Sequence, residues 1–109
     1  MSLEGEKVRI VCIKSYEEEP LDIIRGTVTD EWATGLKVSG RHCQKIMEET
    51  LGRMIERRVD EETKVMFVPF SSIKFCEIIL EGSKSDMIDR QVKMGKPLTG
   101  SELKRGGSI

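Results

Sequence analysis

The sequence has no apolar run near the roughly 18 residues that a membrane-spanning helix needs, so a helical crossing is not expected. No N-terminal stretch joins basic residues to an apolar segment, so a cleaved export signal is not expected either. Histidine occurs once, at His42, which leaves a His-based catalytic triad without a spare partner. Cysteine occurs three times, at Cys12, Cys43 and Cys76, an odd number with no C-x-x-C pair. That pattern argues against a disulfide framework and for a reducing, cytoplasmic setting, and it leaves a zinc site short of its four ligands. Charge of one sign is lacking too, because 18 Lys+Arg meet 19 Asp+Glu. Nucleic acid would therefore have to be held by a local basic patch and not by the chain as a whole. Neither G-x-x-x-x-G-K-[ST] nor G-x-G-x-x-G appears, so no phosphate-cradling loop and no cofactor is signalled.

What is present fits one small domain of 109 residues with a modest core. Residues 7–14 read as a strand with apolar side chains on both faces, Val8, Ile10 and Cys12 on one and Val11 and Ile13 on the other. Cys12 and Cys76 sit in apolar runs and read as core residues. Residues 15–20 carry three glutamates and a proline and read as a solvated loop, not as an acid–base pair. Residues 21–30 read as a strand with Ile24, Gly26 and Val28 on one face, the glycine marking a bend or a close backbone approach. A turn over 30–35 leads into a short strand over 36–40, making a hairpin. Residues 41–58 change period: Cys43, Ile46, Met47, Leu51, Met54 and Ile55 recur at spacings of three and four, which predicts an amphipathic helix. Strands are predicted over 64–68 and 73–80, with a short bend around Pro69. A short helix over 86–94, capped by Ser85 and stopped by Gly95, precedes a flexible tail beyond Lys96. The domain is thus residues 1–80 with a helical insertion at 41–58, and residues 81–109 form the helix and tail.

The stretch IIRGTVTDEWATGLKV resembles the first half of the Sm-like fold, the family of Sm, LSm and bacterial Hfq proteins. There a strand with a central glycine leads through an acidic turn into a short strand. KVMFVPFSSIKFCEI resembles the second half, where two strands meet at a tight bend. The resemblance spans residues 7–80 and implies a mainly β fold: a five-stranded Sm-like barrel, of bacterial type, with one helix inserted between strands 3 and 4. It also implies a homo-oligomeric ring that binds RNA without catalysis. The family's Asn after the acidic turn is replaced by Thr34 and Gly35, and its Arg-Gly at the bend by Pro69 and Phe70. The alternative is a ring that serves only as a scaffold or protein-interaction module.

Candidate RNA contacts follow from residue chemistry. Trp32 and Phe70 sit in turns, where an aromatic ring either stacks a base or lids the barrel end. Arg53 and Arg57 form a basic cluster late in the predicted helix, open to a phosphate contact or simply solvated. Arg25, Lys37 and Arg41 are possible additions to that patch. No metal site and no catalytic residue are expected.

Overall fold

The computed structural model describes residues 2–50, 52–59 and 62–93. The predicted helix stop at Gly95 and the tail beyond Lys96 lie outside the described residues. One antiparallel sheet contains six strands: β1 (Lys7–Cys12), β2 (Leu21–Trp32), β3 (Gly35–Glu48), β4 (Arg53–Arg58), β5 (Lys64–Pro69) and β6 (Ile73–Ile78). A 3₁₀ turn (Phe70–Ser72) joins β5 to β6, and one helix, α1 (Lys84–Lys93), follows. The protein is mainly β. No described helix is long and apolar enough to cross a membrane.

The helix predicted over 41–58 is not formed, and the fold has six strands rather than five. Residues 41–48 continue β3, and β4 folds back on them, with Ile46 opposite Ile55 and Met47 opposite Met54. Local propensity favours a helix here, but β2 decides otherwise. Its first residues, Leu21 to Arg25, pair with Lys45 to Arg41, and a helix would strip that half of β2 of its partner on this side. The breaker is Gly52. It takes φ +64, a left-handed conformation open to glycine, and its N–H donates to the Glu48 carbonyl at 2.8 Å.

β3 is the spine of the sheet. From Gly35 to Lys45 it pairs with β2 on one side, while on the other its first half pairs with β5 and its second half with β4. β1 pairs with β2 and β6. A flat sheet in the order β5-β3-β2-β1-β6 would hold its outer strands about 19 Å apart, four spacings of roughly 4.8 Å. The 3₁₀ turn between those strands advances only on the order of 6–8 Å. The sheet therefore coils until its two edges approach. It does not close, since β5 pairs with β3, β6 with β1, and no ladder joins β5 to β6 among the described residues.

Coiling gives the sheet an inner and an outer face, and apolar residues fill both. Val8, Ile10, Ile24, Val28, Leu36, Val38 and Val68 form the inner core, with Cys12, Met66, Ile73 and Cys76 packed against it. Burial raises the thiol pKa of both cysteines, with Asp22 adding to the effect at Cys12, so they stay protonated as small apolar groups. Val11, Ile23 and Cys43 point the other way and are covered by Leu21 and by Ile88 of α1. The cap of α1 is Ser83, whose Oγ accepts the Asp86 N–H at 3.2 Å. Ser85, the predicted cap, instead donates to Glu77 Oε1 at 2.8 Å. Asp86 fastens the helix to the sheet by accepting from Lys7 Nζ at 2.8 Å and from the Gly82 N–H at 3.0 Å. The Lys7 bond, then the Gly82 bond, lowers its carboxyl pKa to about 2.

Candidate nucleic-acid interface

The turn between β2 and β3 is only residues 33–34, so Trp32 lies opposite Gly35 at the end of the ladder. Gly35 in turn faces Pro69, and Lys37 faces Phe67. This register puts Trp32, Lys37 and Phe67 on the outer face at one end of the sheet. Trp32 and Phe67 stack, with ring centroids 5.4 Å apart and planes at 29°, and both rings remain about half exposed. Gly35 makes the approach possible, because a Cβ there would lie 2.7 Å from Phe67 Cζ. Phe70 opens the 3₁₀ turn beside them. Its N–H donates to the Thr34 carbonyl at 2.9 Å, and its ring is exposed. Thus the β2–β3 turn and the β5–β6 turn, far apart in sequence, touch.

The basic candidates are dispersed. Lys37 joins this end but lies 3.7 Å from Asp30, so its charge is partly balanced. Arg57 is exposed on β4 opposite Gln44, nine residues along β3 from Gly35, which is about 30 Å of strand. Nine is odd, so Arg57 and Trp32 belong to opposite faces. Arg53 is half-buried at the hairpin end, opposite Glu48.

Arg25 is not a surface residue. It is 1% exposed, and its Nε and Nη2 donate to Glu56 Oε1 and Oε2 at 2.5 and 3.3 Å. Its Nη1 reaches the Ser85 carbonyl at 3.4 Å. Arg9, Arg25 and Arg41 stand in register on β1, β2 and β3, so three guanidinium groups share one row of the outer face. Glu56 serves two of them, with Arg9 Nη2 3.6 Å away. Arg41 is half-buried, and its Nε is enclosed without a hydrogen-bond partner.

Of the seven predicted contacts, the structure brings together Trp32, Lys37 and Phe70, and separates Arg53 and Arg57 from them. It places Arg25 inside a buried ion pair, with Arg41 half-buried beside it. Phe67 was missed by the sequence reading. Its signal is the alternation in KVMFVP, where Met66 and Val68 face the core and Phe67 must face out. His42 accounts for itself locally: its Nε2 lies 2.7 Å from Asp22 Oδ1, which also accepts from Gln44 Nε2 at 3.1 Å. No protein-family model matches the chain, no curated protein matches it in sequence, and no solved structure matches it in fold.

Proposed function

We propose that the protein is an Sm-like, noncatalytic subunit that assembles edge to edge with copies of itself and contacts single-stranded RNA through its turn aromatics. The observation that carries this reading is the strand arrangement. A sheet coiled around one core is left open between β5 and β6, and the two strands are joined by a single 3₁₀ turn. Among the described residues each of these strands has one edge without a ladder partner, and each exposes apolar side chains: Val65 and Phe67 on β5, Phe75 and Ile78 on β6. Unpaired edges of this kind recruit strands from another chain. The β5 edge of one copy meeting the β6 edge of the next is a head-to-tail contact, which makes a ring when its rotation closes.

The RNA reading rests on the joined turns. Trp32 and Phe70 offer stacking faces at one end, with Lys37 as the nearby cation. Stacking of this kind is tolerant of sequence, consistent with Thr34 and Pro69 where the family has base-reading Asn and Arg. A second reading, a ring that acts only as a protein scaffold, is favoured by two ion pairs: Arg25 is committed to Glu56, and Lys37 lies close to Asp30. Titration of oligo-U and oligo-A at two salt concentrations separates the two. Binding tighter than micromolar that weakens with salt supports RNA, and an assembled protein with no binding supports the scaffold.

A further inference from the structure

A hollow on the surface lies between the β1–β2 loop and the β3–β4 hairpin. Its volume is about 510 Å³. Leu21, Ile46, Met47 and Met54 make its apolar side, and Glu17, Glu18 and Glu19 line its acidic side. Met47 and Met54 face each other across the hairpin, 57% and 41% exposed, where a purely structural pair would be covered. Unbranched methionines adapt to side chains of different shapes and recur at peptide-binding surfaces.

The acidic side is not consumed by the fold. Glu19 accepts the Ser15 N–H, but among the described residues Glu17 and Glu18 have no ion pair or side-chain hydrogen bond. Lys14 and Lys45 also line the groove, so three carboxylates stand against two ammonium groups. Lys14 Nζ is turned onto the Glu17 carbonyl at 3.2 Å and leaves the carboxylates open.

We propose that this groove binds a peptide segment in which an apolar side chain is flanked by lysines or arginines. The apolar side chain enters between Met47 and Met54, and the flanking cations meet Glu17 and Glu18. None of the lining residues belongs to β5 or β6, so the groove is a site distinct from the proposed edge pairing.

The test uses the full chain labelled with ¹³C-methyl methionine and a synthetic peptide with two leucines between pairs of lysines. Titration is expected to shift the Met47 and Met54 methyl resonances while leaving core Met66 unmoved. The double variant Glu17→Gln, Glu18→Gln is expected to weaken binding at least fivefold, and Met54→Ser to weaken it comparably with the fold intact by circular dichroism. Unmoved Met47 and Met54 signals at millimolar peptide would overturn the proposal. So would equal binding of a peptide with glutamates in place of the lysines, or the same two shifts produced by oligo-U instead of the peptide.

Discussion

Gly26 and Gly40 face each other across β2 and β3 with their backbones pressed together. A Cβ on Gly26 would lie 2.7 Å from Gly40 Cα, and a Cβ on Gly40 would run into the Arg25 carbonyl. Neither side can yield, because the obstacle is backbone in the middle of the longest ladder of the sheet. Gly26→Ala and Gly40→Ala are each expected to destabilise the fold by about 3 kcal/mol, as overpacking does where nothing can move. Gly52→Ala, strained by its positive φ but with open space around it, is expected to cost about 1–2 kcal/mol. Urea unfolding of the three variants checks the order.

The Arg25–Glu56 pair ties the β3–β4 hairpin to the centre of the sheet. Removing one partner leaves the other charged, buried and unpaired. Glu56→Leu is expected to cost about 3–5 kcal/mol, and the double variant Arg25→Met, Glu56→Leu much less than the sum of the single changes. Additive losses in a double-mutant cycle would show that the pair does not act as a unit.

The fastening of α1 depends on pH. The Asp86 carboxyl is held at about 2, below its unfolded value near 3.9, so ionised Asp86 stabilises the fold above pH 4. That contribution is lost as pH falls from about 4 to 2. Asp86→Asn should therefore be less stable than the parent at pH 6, and the difference should shrink as pH falls to 2. A constant difference between the two melting temperatures across that range would remove Asp86 from this role.

Much of this fold is legible in the residues themselves. Alternation in KVRIVCIK places Val8 and Ile10 on one face and Val11 on the other, and both faces turn out to be filled. The hairpin from β2 to β3 follows from its turn. Residues 41–58 were misleading because Cys43, Ile46, Met47, Met54 and Ile55 satisfy a helical period as well as two short strands. Which one forms depends on β2, a partner 20 residues earlier. The site was only half legible for a similar reason. Trp32 and Phe70 are conspicuous as turn aromatics, but burial of Arg25 depends on Glu56 reaching it from another strand. The stacking of Trp32 on Phe67 depends on a pairing register that spacing does not reveal.

If RNA is stacked at the joined turns, Trp32→Ala with Phe70→Ala should reduce oligo-U affinity by about 30-fold or more, since each base–aromatic stack contributes roughly 1–3 kcal/mol. The salt dependence should stay as it was. Arg53→Ala with Arg57→Ala, on the distant hairpin, should leave both nearly unchanged. The reverse pattern in a fluorescence titration would move the interface to the hairpin.

The most direct test of the central claim is the solution mass by native mass spectrometry or sedimentation at tens of micromolar. The coiled sheet with two open edges predicts a closed assembly of several 12.4 kDa copies that falls apart to single copies in Val65→Glu or Phe75→Glu, with folding retained. A parent protein that remains a 12.4 kDa monomer at that concentration contradicts it.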